Sequence, residues 1–250
     1  MLNYVLDFFR GSVRRRTLLW GLLPLIFIAY FGTLGLAIWA VPGSFDWRYR
    51  SVSKLLYLRT APELPALHLI VSIDVAVAGL LMIPFAGYIG RRLRSISPII
   101  AGIGAAAFGA GAVLLIFAAM IVSQPDGGSS RGLTPHELLA RLCGFVLGIG
   151  MLAFYVCAAR SRAGATLEAN SDSRLIIAWS AIVPPALLIA SLRGLAALRL
   201  DWSDPVYRAL QSRTLWHLGF WEWIGSGAVF LFLLSAALFL PQLEQGSSGN

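Results

Sequence analysis

Charged residues are scarce in this sequence. They make up 13% of its 250 residues, against 58% that are hydrophobic, and the mean hydropathy is +0.75. A water-soluble domain averages about 25% charged residues. A deficit of this size excludes a chain that faces water on all sides, so the composition predicts an integral membrane protein.

Cysteine is nearly absent as well. The two cysteines, Cys143 and Cys157, fall in one predicted helix, where their spacing in sequence places them about 21 Å apart. A disulfide cannot bridge that distance. The sequence therefore excludes a disulfide scaffold and a cysteine-based metal site.

Lysine is also almost missing, because the +8 net charge comes from arginine, with Lys54 as the sole lysine. The clearest arginine concentrations, at 14–16 and 91–94, lie next to apolar stretches. Positive charge at such places sets membrane topology. No nucleic-acid-binding motif accompanies it, so we expect no nucleic-acid partner.

Long apolar stretches dominate the rest of the chain, and six of them approach or exceed the roughly 20 residues that cross a hydrocarbon core. Because lipid cannot satisfy backbone polar groups, such stretches form helices. We therefore predict an all-α polytopic membrane protein with six transmembrane helices over 17–240, an interfacial segment at 1–16 and a polar tail at 241–250. The stretches run 17–41, 67–90, 96–123, 136–159, 174–200 and 214–240.

The arginines also predict the orientation. By helix parity, the clusters at 14–16 and 91–94 and the segment 160–174 fall on one side of the membrane. The positive-inside rule then favours cytoplasmic termini in a plasma (inner) membrane. The first stretch is longer than the ~7–15 apolar residues of a secretory signal, so we read it as an uncleaved span.

Two further patterns concern packing. Small residues recur in the third stretch at 101–105 and 109–111, and Gly144 and Gly148 stand at GxxxG spacing in the fourth. Such residues let helix backbones approach closely, so we expect packing within the bundle. Pro184 and Pro185 lie in the middle of the fifth stretch, where proline interrupts the hydrogen-bond ladder of a helix.

Four ionisable residues lie inside the apolar stretches: Asp74, Arg141, Arg193 and Glu222. Helix parity places all four near one face of the membrane, at a depth of about 8–12 Å. A charge at membrane depth costs at least ~2.5–3.5 kcal/mol on insertion scales, and opposite charges at equal depth offset that cost. We predict that the four line a polar cavity towards the outer face.

All three histidines, His68, His136 and His217, lie at the start of the second, fourth and sixth apolar stretches, on the same side of the membrane as the four charges. His136 lies in the sequence Thr134-Pro135-His136-Glu137. Threonine followed three residues later by glutamate is a capping box, and proline suits the first position of a helix. We therefore expect the fourth helix to begin there.

Three interpretations of these residues stay open. The charged four form a buried ion-pair network; or the histidines bind zinc while Asp74 or Glu222 polarises a water; or Arg141 and Arg193 hold the phosphate or carboxylate of a lipid headgroup. The zinc interpretation lacks a compact motif such as HExxH, so its ligands would converge from three helices.

The arrangement resembles uncharacterised six-helix membrane proteins that are similar to the DRAM-like autophagy modulators and the GPI-anchor lipid-remodelling proteins. The resemblance is carried by the loop segment 51–55, by Val77-Ala78-Gly79-Leu80-Leu81, by the helix opening at His136 and by Trp221-Glu222-Trp223. It implies six helices and a link to membrane lipids, with Ser53, His136 and Glu222 as matching positions. Trp223 stands where those proteins carry an acidic or arginine companion.

The sequence as a whole predicts a multi-pass membrane protein with an accessory or lipid-interacting role, as a subunit of a larger membrane complex or alone. Its partners would be membrane lipids and other membrane subunits. The alternative is a metal-dependent hydrolase that acts on lipid headgroups at the outer face, with zinc as its metal. A transporter is disfavoured because no inverted repeat is visible.

Overall fold

The computed structural model describes residues 2–40, 46, 67–121, 135–163, 169–197 and 218–240, and all regular structure within them is helical. The fold class predicted from the sequence, an all-α polytopic protein, is confirmed. The predicted tail at 241–250 lies outside the described residues. The helices are α1 (Leu2–Phe9), α2 (Arg15–Ala40), α3 (Leu67–Leu93), α4 (Pro98–Met120), α5 (Pro135–Ala163), α6 (Ala169–Ala197) and α7 (Leu218–Phe239).

Five of these helices, namely α2, α3, α4, α5 and α7, are long and apolar enough to cross a membrane within the described part of the chain. In α6 the apolar run within the described residues is shorter and covers Ser173–Leu188. The helix nevertheless continues through Pro184 and Pro185 to Ala197. The double proline therefore does not end the helix, and α5 begins at the predicted proline, Pro135.

Hydrogen bonds from arginines tie several helix ends together at one end of the bundle. The Arg15 Nε, at the start of α2, donates to the Ala237 carbonyl at 2.7 Å, and its Nη2 donates to the Leu238 carbonyl. Arginine here satisfies the last carbonyls of α7, which the helix itself leaves unbonded. Arg91, at the end of α3, donates to the Ser12 hydroxyl. We call this the proximal end and the opposite end the distal end.

The N-terminal helix α1 is docked against the proximal part of α3. Gly11 turns the chain with φ +79° and lies against the backbone of Tyr88. A Cβ on the facing Gly87 would stand 2.5 Å from the carbonyl carbon of Arg10. Positive φ costs most side-chain-bearing residues about 1–2 kcal/mol, so glycine suits both the turn and the close approach. The predicted interfacial segment thus contacts the helix bundle through α3.

Glycines bring α3, α4 and α5 into close contact. A Cβ on Gly79 of α3 would stand 2.9 Å from the Ala112 carbonyl oxygen of α4. On Gly150 of α5 it would stand 2.6 Å from the Phe108 backbone nitrogen of α4. Gly104 of α4 lies equally close to an aromatic ring of α5. The predicted close packing is therefore found at Gly104 and Gly111 of the third stretch. At the predicted Gly144–Gly148 pair it is wrong, since a Cβ on Gly144 would meet no described atom within 4 Å and one on Gly148 would make an ordinary 3.6 Å contact.

An aromatic cluster joins α4 to α7 in the proximal half. The rings of Trp179 and Phe232 stack with centroids 4.4 Å apart, and Phe108 and Phe154 each lie within 6.4 Å of Phe232. The Trp179 indole N–H donates to the Ser235 hydroxyl at 3.0 Å, which satisfies its buried polar group. These contacts hold α6 and α7 against the core.

Three glycines in the distal half have open space beside them among the described residues. A Cβ on Gly144 of α5, or on Gly225 or Gly227 of α7, would meet no described atom within 4 Å. The described side chains of α7 between 222 and 230 all retain some exposure, on every side of the helix. The distal part of α7 therefore does not bury any one face completely.

Alanine at two glycines of α5 tests the packing described around this helix. Alanine raises helix propensity by about 1 kcal/mol over glycine, but at Gly150 its Cβ would collide with the α4 backbone, and overpacking costs about 1–3 kcal/mol. We expect Gly150→Ala to lower the thermal unfolding temperature of the detergent-solubilised protein and Gly144→Ala to leave it unchanged or raised. Equal effects of the two changes would contradict the described packing.

Candidate functional site

Five polar side chains gather in the distal half, where α2 faces both α3 and α7. We call this group the polar seam. It consists of two carboxylates and three hydroxyls, contributed by Tyr30, Thr33, Asp74, Glu222 and Ser226.

The first part of the seam joins α2 to α3. The Thr33 hydroxyl donates to the Asp74 carboxylate at 2.7 Å; Thr33 is buried and Asp74 is half-buried. Hydrogen bonds to an ionised acceptor are roughly twice as strong as neutral ones. The bond therefore offsets part of the cost of keeping a carboxylate at this depth.

The second part joins α2 to α7. The Ser226 hydroxyl lies 2.7 Å from the Glu222 carbonyl and 2.7 Å from the Tyr30 hydroxyl. A carbonyl can only accept, so the single serine proton goes to Glu222, and Tyr30 must donate to Ser226. The Glu222 side chain is half-buried and belongs to the same helix, one turn distal to Ser226.

These contacts also place the two acids at one depth. Tyr30 of α2 is level with Ser226 of α7, and Thr33 is level with Asp74 of α3. Thr33 is about one turn distal to Tyr30, and Glu222 is one turn distal to Ser226, since α7 runs in the opposite direction. Asp74 and Glu222 therefore lie at similar levels on either side of α2.

The backbone of α2 departs from regular α-helical geometry where these contacts are made. The segment Ile28–Gly32, which contains Tyr30 and directly precedes Thr33, is π-helical rather than α-helical. Such segments are rare and often occur at functional sites. In this region Tyr30 bonds to α7 while Thr33 bonds to α3. Neither hydroxyl is among the site residues predicted from the sequence, although both interrupt the apolar run of the first stretch.

Arg141 lies on α5, on a different side of that helix from Cys143. Its side chain is exposed, and it belongs to the face on which Gly148 and Tyr155 contact α6. Cys143, by contrast, donates to the Gly111 carbonyl on the α4 side. The seam thus contains two members of the predicted four, Asp74 and Glu222, at similar levels on either side of α2. Arg193 belongs to α6, but its side chain lies outside the described residues, and the four-residue cavity stays a prediction.

Of the three histidines, His136 can be placed. It is buried, with 2% of its surface exposed, and its Nδ1 lies 2.8 Å from the Ala118 carbonyl oxygen. Since that oxygen only accepts, Nδ1 carries the proton. His217 and the side chain of His68 lie outside the described residues, as does Ser53. Within the described ranges no three His, Cys, Asp or Glu side chains converge as metal ligands, so the zinc site stays a prediction.

No protein-family model matches the chain, and neither a curated protein nor a solved structure is significantly similar to it. The resemblance to the DRAM-like and GPI-anchor-remodelling proteins therefore stays a prediction. Functional inference has to start from the chemistry of the seam itself.

The bond between Thr33 and Asp74 can be tested by a double-mutant cycle. Thr33→Val keeps the shape but leaves the carboxylate without this donor, which typically costs about 1–3 kcal/mol. We expect a lower unfolding temperature for Thr33→Val, with much of the loss absent when Asp74 is already Asn, because the two residues are coupled. Thr33→Ser is the control and should resemble the wild type. Additive effects of the two single changes would contradict the bond.

Proposed function

We propose that this protein is a multi-pass membrane protein with an accessory, lipid-interacting role, and that the polar seam receives the amine of a phospholipid headgroup. The observation that carries the proposal is the placement of Asp74 and Glu222 at similar levels beside three hydroxyls of α2 and α7.

The composition of the seam selects the ligand. Carboxylates accept hydrogen bonds and carry negative charge, whereas an ammonium group supplies up to three donors and a positive charge. Charge-assisted bonds of this kind are stronger than neutral ones. A phospholipid amine therefore complements two carboxylates better than a phosphate or a neutral glycerol would.

Access to the seam would come along α7. Gly225 and Gly227 flank Ser226 and present no side chain, and no described atom lies within 4 Å of the position a Cβ would take. Asp74 lies seven residues beyond the first residue of α3, Leu67, which corresponds to about 10 Å along the helix. A headgroup would enter this gap from the distal surface while its acyl chains remain against the apolar faces of the helices.

The accessory part of the proposal concerns partners. Membership of a larger membrane complex, the other part of the sequence prediction, would appear as membrane subunits that copurify in fixed ratio with the chain. The resemblance to the DRAM-like and GPI-anchor-remodelling proteins would agree with a lipid role. That resemblance is itself part of the proposal.

A metal-dependent hydrolase acting on lipid headgroups is a second candidate, and one observation favours it. The bond from His136 Nδ1 to the Ala118 carbonyl fixes the ring, which in its neutral form leaves Nε2 as the basic nitrogen. Metal-binding histidines commonly donate their other ring N–H to a carbonyl in this way. Zinc would require further ligands, for which the sequence offers His68 and His217.

Neutralising the two acids tests the lipid proposal. We expect Asp74→Asn with Glu222→Gln to weaken phosphatidylethanolamine binding at least tenfold, about 1.4 kcal/mol, because the ammonium would lose both carboxylates. Binding is measured by native mass spectrometry on the full chain in detergent. Asp7→Asn, an exposed acid on α1, is the matched control and should bind as the wild type does. Unchanged binding in the double variant would refute an amine site in the seam.

Metal content tests the second candidate. If the chain is a zinc enzyme, elemental mass spectrometry of the purified protein will give near-stoichiometric zinc, and His136→Asn will lose it because a ligand nitrogen is removed. Wild-type protein without bound metal, prepared without chelator, would exclude the hydrolase.

A further inference from the structure

Arginines surround the turn that joins α1 to α2 at the proximal end. A Cβ on Gly87 of α3 would stand 2.5 Å from the carbonyl carbon of Arg10, so the end of α1 lies directly against α3. Arg91 follows Gly87 by four residues and therefore lies on the same face of α3. Its guanidinium donates to the hydroxyl of Ser12, which is two residues before Arg14. We call Arg10, Arg14 and Arg91 the arginine triad.

The hydrogen bonds at this turn do not supply a negative charge. Arg91 bonds to a neutral hydroxyl, and Arg15, next to Arg14 in sequence, bonds to the last carbonyls of α7. Arg14 stands at the cap position of α2 but makes no side-chain capping bond. All three members of the triad are exposed. An anion that reaches the turn would therefore meet several accessible guanidinium groups.

Acidic residues at this end are too few to neutralise the arginines. Ten arginines fall in 10–16, 91–94 and 160–174. Four acids lie in or beside these segments or just after α7, namely Asp7, Glu168, Asp172 and Glu244. Asp7 is the one acidic side chain that the structure describes at this end, and it is exposed. It is three residues from Arg10, a spacing that allows an ion pair on a helix, yet such a pair still leaves the triad with a net positive charge.

Neighbouring side chains place the triad at the level of lipid headgroups. Tyr4 of α1 is 84% exposed and Trp20 of α2 is 79% exposed, and exposed tyrosine and tryptophan favour the membrane–water interface. Leu6 is also exposed, and its carbonyl accepts a bond from the Arg10 N–H at 2.9 Å. Leu6 and Arg10 therefore lie one turn apart on the same face of α1. An apolar side chain next to a guanidinium suits the boundary between acyl chains and phosphates.

Charge then selects the headgroup. A planar guanidinium donates two parallel hydrogen bonds to a phosphate, a geometry that lysine cannot reproduce. Phosphatidylglycerol carries a phosphate and no cation, whereas the cationic group of a zwitterionic lipid would be repelled by the neighbouring arginines. Basic clusters beside membrane helices bind anionic lipids for this reason.

We propose that the arginine triad binds the phosphate group of an anionic phospholipid at the turn between α1 and α2. The site lies at the opposite end of the bundle from the polar seam. It needs no amine on the lipid, so either site can fail without the other.

The test follows phosphatidylglycerol binding to the full chain in detergent by native mass spectrometry. We expect Arg10→Gln with Arg14→Gln to weaken binding at least tenfold, because two of the three guanidinium groups are lost. The lipid-free unfolding temperature should stay that of the wild type, since both side chains are exposed. Arg160→Gln with Arg174→Gln is the matched control, because it removes equal charge from exposed arginines of α5 and α6 at the same end. Equal weakening by the two pairs, or none by the first, would overturn the site.

Arg91 needs a control of its own because its bond to Ser12 also holds the turn. Arg91→Gln removes both the bond and the charge, whereas Ser12→Ala removes the bond and keeps the charge. We expect Arg91→Gln to weaken phosphatidylglycerol binding several-fold more than Ser12→Ala does. Equal effects of the two changes would overturn the place of Arg91 in the triad.

Two comparison ligands separate a lipid phosphate from free phosphate and from acyl chains alone. Inorganic phosphate and a phosphatidylcholine with the same acyl chains are titrated, with the thermal unfolding temperature as readout. Stabilisation by phosphatidylglycerol that neither compound reproduces would support the lipid site. Equal stabilisation by inorganic phosphate would indicate a soluble anion, and equal stabilisation by phosphatidylcholine would show that the net charge of the headgroup plays no part; either result would overturn the proposal.

Discussion

The close backbone contact of α3, α4 and α5 is the constraint on which the rest of the bundle depends. Lipid gives no hydrophobic force between helices, so association relies on van der Waals packing and hydrogen bonds. Gly79, Gly104 and Gly150 allow that packing because none of them holds the neighbouring helix away with a side chain. The aromatic cluster around Phe232 then holds α6 and α7 against this core at the proximal end.

The polar groups lie in the distal half, away from the aromatic cluster. A Cβ on Gly144 of α5 or on Gly225 of α7 would meet no described atom within 4 Å. A carboxylate at such a depth needs a hydrogen-bond partner, and α2 supplies one to Asp74 through Thr33. Hydrogen bonds from α2 thus connect it to α3 and α7 in the distal half.

The helices and the depth of the two acids could be predicted from the sequence because both depend on distance along the chain alone. The length of an apolar run decides whether it can cross a bilayer. Because successive helices alternate in direction, Asp74 and Glu222 are predicted to lie near the same face. The partners could not be predicted in this way. Whether Tyr30 meets α7 or α3, and whether Arg141 faces the core or lipid, depends on which face each helix presents to its neighbours. That choice is set by packing between residues far apart in sequence.

Photolabelling with a phosphatidylethanolamine that carries a diazirine beside its amine tests the central claim most directly. The full chain is labelled in vesicles, and the labelled residues are located by peptide mass spectrometry. The account predicts labels concentrated on 28–33 of α2 and 222–227 of α7, and reduced by an excess of unlabelled phosphatidylethanolamine but not of phosphatidylglycerol. Labels spread evenly over the exposed apolar faces, for example along α4, would contradict a headgroup site in the seam.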